Sequence, residues 1–486
     1  MTRLADAPLD FLFGARTVAL VGASDRPRSW GLAAVERLRD GGFSGQLIPI
    51  NPRVESILGI PCYPSLSSAP GPIDLVVLMV APDRIPGIVE EAAAIGVKAI
   101  IAQPGGFAEN GDHGRALEDR IASVLDAHAI RFIGPNTAGI SDTRTSLNTY
   151  FHDLPRPGEL ALVYQGGGVG SYMSEVARGR DIGVSKVLSL GNQLRTDLID
   201  CVEWLRGDPD TKSVAVQVEG APRSRQHNFM RDLVEALAEL RKTKGVAVIH
   251  TGRGKTSSNL TYSHTSSLAT PRRLFEGACR QHGVCLAATA ADAVVLANMM
   301  QYKDARGGRN IAVIGSGSQS MYMADLCEEY RLALPAFSGD LAKRIAAVLR
   351  HDVPVRNPLD LGMQNLSILI DVLRMLLAED GIDAVLYSVP SAAQAELLPP
   401  EQASVLWSDL VTASRGSRKP MIGVEWFGAT NAHLRKRFEQ DGQVLTDTPE
   451  EAVRLLHALS ACLPSRASRS PPVSDAAMAD PRIPAG

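Results

Sequence analysis

The chain has 486 residues, of which 45% are hydrophobic and 21% charged, with a formal net charge of −3. At about 100–200 residues per domain, that length makes room for about three domains. The charge balance offers no electrostatic reason for a nucleic-acid partner, and no apolar run approaches the ~20 residues of a membrane span.

The opening segment MTRLADAPLDFLFG lacks a basic-then-apolar signal pattern, so a cytoplasmic protein is expected. Six cysteines, at 62, 201, 279, 285, 327 and 462, form no CxxC pair and no zinc-ligand spacing. They read as reduced thiols, and no metal site is expected.

Short β-rich apolar runs alternate with helical stretches along the chain. The first series is Val18–Gly22, Leu47–Asn51, Leu75–Val80, Ala99–Ala102 and Arg131–Gly134, with helices expected near 31–40, 84–95 and 113–127. The second is Leu160–Tyr164, Lys186–Leu190, Ser213–Val218, Val246–His250 and Cys285–Ala287. The third is Ile311–Ile314, Ala384–Ser388, Met421–Glu425 and Val444–Leu445. Strands apolar on both sides and separated by helices indicate parallel sheets covered on both faces. The spacing predicts three consecutive open α/β domains over 10–147, 158–302 and 309–463, then a Ser/Pro/Ala-rich disordered tail over 464–486.

Ligands of open α/β sheets bind at the carboxyl ends of the strands. Three glycine-bearing loops stand there. Gly22-Ala23-Ser24 opens the first helix, Gln165-Gly166-Gly167-Gly168-Val169-Gly170 opens a helix in the second domain, and Gly315-Ser316-Gly317-Ser318 opens one in the third. Glycine lets a backbone approach a phosphate, and helix N–H groups attract the anion. The first loop is not G-x-G-x-x-G, and Asn51-Pro52 ends the second strand where a dinucleotide enzyme places a ribose-binding acid. A dinucleotide oxidoreductase is therefore disfavoured. His264 is a lone imidazole among hydroxyls in TYSHTSSL, and Glu219 follows the apolar strand VAVQV. On local context each reads equally as a surface or capping residue.

In combination these segments resemble the NDP-forming acyl-CoA synthetases, the family related to succinyl-CoA synthetase, over about residues 10–460. The likeness is to the α-type part of ADP-forming acetate–CoA ligase. VALVGASDRP, IPINPRVESILGIPCYPSL and RFIGPNTAGI are similar to the family's CoA-binding domain. LALVYQGGGVG, VLSLGNQLRTDLIDCVEWL and VQVEGAPRSRQHNF are similar to its second domain. SHTSSLA is similar to its phosphohistidine loop, with Ser266 and Thr270 standing where glycines are usual. NIAVIGSGSQSMYMAD and VRNPLDLG are similar to its third domain.

The resemblance implies a Rossmann-like CoA-binding domain followed by two flavodoxin-like ligase domains. It implies that an acid, CoA and ATP give acyl-CoA through an acyl phosphate and a phosphohistidine. By position His264 carries the phosphoryl group and Glu219 holds its ring. Gly22, Ser24, Arg26, Asn51, Arg53 and Asn136 fall where CoA is held. Gly166, Gly167 and Gly168, with Gly315, Ser316 and Gly317, fall at phosphate-binding helix N-termini. Three sheets leave no length for an ATP-grasp module, and no P-loop is present. ATP/ADP and Mg²⁺ are therefore expected on a partner ATP-grasp β-type chain, within a homo- or hetero-oligomer. The competing reading is a CoA-binding acyl transferase or CoA-responsive protein without nucleotide chemistry.

Overall fold

The computed structural model describes residues 9–254, 256–257, 268–269, 271–302, 308–349, 354–362, 366–389, 400–426, 435–436, 438–439 and 443–462. His264 and the expected tail 464–486 lie outside the described residues. Three open sheets follow one another, as the apolar runs predict.

The first sheet holds β1 (Thr17–Val21), β2 (Gln46–Ile50), β3 (Leu75–Leu78), β4 (Ala99–Ala102) and β5 (Arg131–Ile133), in the order β2-β1-β3-β4-β5. All its pairs are parallel. Helices α1 (Trp30–Asp40), α2 (Ile85–Ala94) and α3 (Asp112–His128) make the crossovers. Ser29 starts α1 by accepting from the Leu32 N–H at 3.2 Å.

A short antiparallel pair, β6 (Ile140–Asp142) and β7 (Leu147–Asn148), comes next. It joins the second sheet, not the first: Ile140 faces Leu188 and Asp142 faces Lys186 in antiparallel register. The sequence gives no sign of this antiparallel edge, formed by residues 140–148 on an otherwise parallel sheet. The reason is that ISDTRTSLN holds strands of three and two residues, too short to form an apolar run. The rest of the second sheet is β8 (Pro157–Tyr164), β9 (Val184–Ser189), β10 (Ser213–Val218), β11 (Gly245–His250) and β12 (Cys285–Leu286), with order β12-β11-β10-β8-β9-β6-β7.

Its helices are α4 (Gly167–Gly179), α5 (Leu198–Gly207), α6 (Phe229–Leu240), α7 (Arg272–Gln281) and α8 (Ala290–Tyr302). Strand periodicity divides its core. Val246 and Val248 of β11 join the cluster with α5, α6 and α7, whereas Ala247 and Ile249 join the one with α4 and α8.

The third sheet holds β13 (Ile311–Gly315), β14 (Leu359–Asp360), β15 (Ala384–Ser388), β16 (Met421–Val424) and β17 (Val444–Thr446), in the order β14-β13-β15-β16-β17. It carries α9 (Gly317–Glu329), α10 (Gly339–Val348), α11 (Leu366–Ala378), α12 (Pro400–Arg415) and α13 (Pro449–Ala461). Setting the β6/β7 edge aside, all three sheets have the order 2-1-3-4-5. The strand order therefore reverses beside the first strand of each, and the loop after that strand faces a crevice.

The domains share cores. Phe13 stacks on Trp204 with ring centroids 4.8 Å apart, binding the N-terminal segment to α5. Met173 and Ala177 of α4 cluster with Met323 and Cys327 of α9 and Leu455 of α13. The Cys285 and Cys462 side chains meet across the second and third domains, with Cα atoms 4.5 Å apart. Among the described residues, no helix is long and apolar enough to cross a membrane.

Candidate functional site

In the first domain the turn after β1 is built for close approach. Gly22 has φ +94, and a Cβ there would sit 2.7 Å from the Met79 carbonyl oxygen. The Asn51 side chain donates to the Ala23 carbonyl at 2.8 Å and accepts from the Arg53 N–H at 2.9 Å. The Ser24 hydroxyl accepts from the Arg26 N–H at 3.1 Å. Gly22, Ser24, Arg26, Asn51 and Arg53 thus form one rim across the ends of β1 and β2, with both arginines exposed.

Asn136 is not on that rim. It follows β5, three strands from β1, or about 14 Å at 4.8 Å per strand. Its amide lies 3.4 Å from Asn192 of the second domain. Asn192 also donates to Glu109 and Glu118 of the first domain, at 2.5 and 3.0 Å. Burial holds the Glu118 carboxyl above its ordinary range, and Asn192 partly offsets this. Asn136 therefore stands at the junction of the two domains.

The second domain brings Glu219 to the glycine loop, because β10 and β8 are neighbours at the point of strand reversal. Two buried glutamines set the geometry. The Gln217 Oε1 accepts from the Gln165 and Gly166 N–H groups at 3.0 and 2.9 Å. Its amide donates to Thr251 Oγ1 at 2.7 Å and to Glu219 Oε1 at 3.2 Å. The Gln165 Oε1 accepts from the Glu219 N–H at 2.5 Å, and its amide donates to the Gly220 carbonyl at 2.9 Å. A Cβ on Gly166 would collide with Glu219 Oε1, so only glycine lets the carboxylate sit against this turn. Gly166 is the N-cap of α4, and the helix starts at Gly167. No described residue is recorded accepting from the Gly167 or Gly168 N–H.

The third domain repeats the loop but closes it. Ser316 is the N-cap of α9, and the Gly317 N–H donates to Asp360 Oδ1 at 2.8 Å. The Gly362 N–H donates to the same oxygen at 2.8 Å. A carboxylate of the chain thus already caps this positive helix end. Gly315 lies against Ser388, whose hydroxyl accepts from Trp426 Nε1 at 3.0 Å. The structure thus brings Glu219 together with Gly166, Gly167 and Gly168. It places Gly315, Ser316 and Gly317 on a separate strand end.

Sequence reasoning missed Gln165 and Gln217 as site residues, and Asp360. The signal for the glutamines was an uncharged amide at or within the end of an otherwise apolar strand, LALVYQ and VAVQV.

Three stacked sheets of one topology, with a glycine loop facing a carboxylate in the second, define a multidomain ligand-binding α/β protein. Residues 16–143 match the CoA binding domain family and residues 157–300 the succinyl-CoA ligase like flavodoxin domain family. The acetate–CoA ligase [ADP-forming] II subunit alpha of Pyrococcus furiosus is 26% identical over 452 residues, covering 93% of this chain and 97% of that one. The acetate–CoA ligase [ADP-forming] of Methanocaldococcus jannaschii is 30% identical over 358 residues, covering 73% of this chain and 49% of that one. The chain thus spans nearly the whole of the first relative and about half the length of the second. The fold is also that of the dinucleotide forming acetyl-coenzyme A synthetase 1 of Ca. Korarchaeum cryptofilum, solved with phosphate and ADP. That match has a TM-score of 0.82 at 24% identity and covers 94% of this chain and 97% of that one. The chain thus combines a CoA binding domain with a succinyl-CoA ligase like flavodoxin domain, and along nearly its whole length it is similar to alpha subunits of ADP-forming acetate–CoA ligases.

Proposed function

We propose that this chain is the CoA-binding, phosphohistidine-carrying part of an acid–thiol ligase that makes acyl-CoA from a small carboxylic acid, CoA and ATP. The single observation that carries the reading is Glu219 held against Gly166 beside the open N-terminus of α4. A carboxylate there suits an imidazole that must be held in one tautomer and steadied as charge develops. The N–H groups at the start of α4 suit a phosphoryl group. The relatives named as acetate–CoA ligases support the acid and the thiol as substrates.

In this reading the His264 imidazole takes the γ-phosphoryl group of ATP, whose magnesium and nucleotide sites are on an ATP-grasp chain. An oxygen of the acid's carboxylate then takes the phosphoryl group, freeing His264 and forming an acyl phosphate. The CoA sulfur attacks the acyl carbon, the bond from that carbon to the bridging oxygen breaks, and phosphate leaves. The thiol proton goes to solvent or phosphate. Glu219 fixes and steadies the ring. Gly166, Gly167 and Gly168 cradle the phosphoryl oxygens; Gly315, Ser316 and Gly317 form a second cradle only when the Asp360 carboxylate gives way. Gly22, Ser24, Arg26, Asn51 and Arg53 hold CoA, and Asn136 meets its arm at the domain junction.

The test is a carboxylic-acid panel with CoA, ATP, this chain and a candidate ATP-grasp chain. Thioester is expected only with both chains, and His264→Ala abolishes it while CoA binding survives. Steady ATP turnover by the single chain, or native-rate thioester from His264→Ala, overturns the reading.

A further inference from the structure

A cleft of about 560 Å³ opens at the carboxyl edge of the second sheet. It is lined by Val169 and Tyr172 of α4, by Ile249, His250 and Arg253 at and just past the end of β11, and by Ala288 and Ala290. Its lining starts at Gly168, inside the first turn of α4, so it begins beside the Gly166–Glu219 contact. At about 30 Å³ per water molecule, the cleft is on the order of twenty waters in size. Acetate has four heavy atoms.

Reach makes the same point. Tyr172 lies five residues past Gly167, about 7.5 Å along the helix at 1.5 Å per residue. An acetyl methyl extends only about 1.5 Å beyond its carbonyl carbon. A phenylacetyl ring extends about 6 Å, by the same bond lengths. An acetyl group reacting at the α4 N-terminus leaves Tyr172 untouched, whereas a ring reaches it.

The wall chemistry fits a ring. Tyr172 is 53% exposed although aromatics make up only 5% of the chain. Its neighbours Gly168, Gly170 and Ser171 are small, so its ring stands clear of the helix. The lining residues Ala288 and Ala290 are small too, and Ile249 and Val169 add apolar surface beside the polar His250, Thr251 and Arg253. A slot with one aromatic wall and apolar neighbours favours an aromatic guest, which gains ring–ring contact beyond its area burial.

We propose that this cleft is the acyl pocket, that it takes the ring of an aromatic carboxylic acid, and that Tyr172 is the residue that reads it. The proposal rests on the acyl-CoA synthetase reading above. The test is calorimetry of the full chain with CoA, acetyl-CoA and phenylacetyl-CoA. Phenylacetyl-CoA is expected to bind about tenfold tighter than acetyl-CoA, a gain of the size that burying and stacking one ring provides. Tyr172→Ala should remove most of that difference while moving acetyl-CoA affinity far less, and Tyr172→Phe should keep it. Equal binding of the two acyl-CoAs, or a difference that survives Tyr172→Ala, overturns the proposal. If CoA itself does not bind, the synthetase reading fails. Saturation-transfer NMR with free phenylacetate and acetate, on the chain and on Tyr172→Ala, then decides the cleft alone: preference for phenylacetate lost in Tyr172→Ala supports it, no preference overturns it.

Discussion

Glu219 owes its position to Gln165 and Gln217, which together tie the ends of β8, β10 and β11. Both glutamines are fully buried, so each unmade hydrogen bond there costs about 1–3 kcal/mol. Gln217→Leu strands the Gln165 and Gly166 N–H groups and is expected to lower stability by about 2–4 kcal/mol, read by urea unfolding. Glu219→Gln keeps the shape and loses the charge. It should leave the urea midpoint nearly unchanged and slow acyl-CoA synthesis by on the order of 10²–10⁴-fold. A rate within threefold of the parent chain would remove Glu219 from the chemistry. At this scale the sequence reveals a carboxylate at the end of an apolar run, and the family likeness gives it a role. It does not reveal the amides that aim it, because Gln217 inside VAVQV reads as an ordinary polar interruption. The separate position of Asn136 is hidden for another reason. Which strand ends adjoin depends on sheet order, and RFIGPNTAGI read alone carries no sheet order.

Helices α4 and α9 are the same device in two states. Each has 13 residues, follows the first strand of its sheet, begins after a small N-cap and carries a tyrosine at its sixth position, Tyr172 or Tyr322. That duplication is visible in GGVGSYM and GSQSMYM. What the sequence hides is the difference at their starts, since Asp360 comes from a strand 43 residues beyond Gly317. The α9 N-terminus is stabilised by its own carboxylate, while among the described residues nothing accepts from the Gly167 or Gly168 N–H of α4. Asp360→Ala should therefore make α9 a better anion site. Binding of inorganic phosphate to the full chain should tighten by about two- to fivefold, the scale of one charge at a helix end. An unchanged phosphate affinity, measured by calorimetry, would mean that Asp360 does not compete for that position.

Across the molecule, the second and third domains are bolted together. Arg180, the C-cap of α4, donates to Glu439 at 2.9 Å and Glu451 at 2.7 Å. Arg454 of α13 grips Asp292 of α8 with two bonds of 2.8 and 2.9 Å. Glu439 is buried, and burial pushes its carboxyl up to about 7 despite Arg180. A carboxyl raised on folding adds stability below its ordinary range, and that contribution is lost as pH rises through about 7. Melting between pH 5 and pH 8 should therefore show a loss that Glu439→Gln reduces. An identical pH slope in the variant would contradict this. The three-sheet plan is legible in the strand periodicity. The bolts are not, because they join residues 259 and 271 positions apart through packing alone.

The proposed mechanism requires His264 to receive a phosphoryl group within this chain. The most direct measurement runs the reaction backwards without nucleotide or partner, incubating the chain with acyl-CoA and radiolabelled phosphate. Phosphate attacks the acyl carbon and releases CoA. The acyl phosphate then passes its phosphoryl group to His264 and leaves as the free acid. The expected label is lost in acid, survives base, maps to the peptide bearing His264 and disappears in His264→Ala. A label on another residue, or one undiminished in His264→Ala, would contradict it.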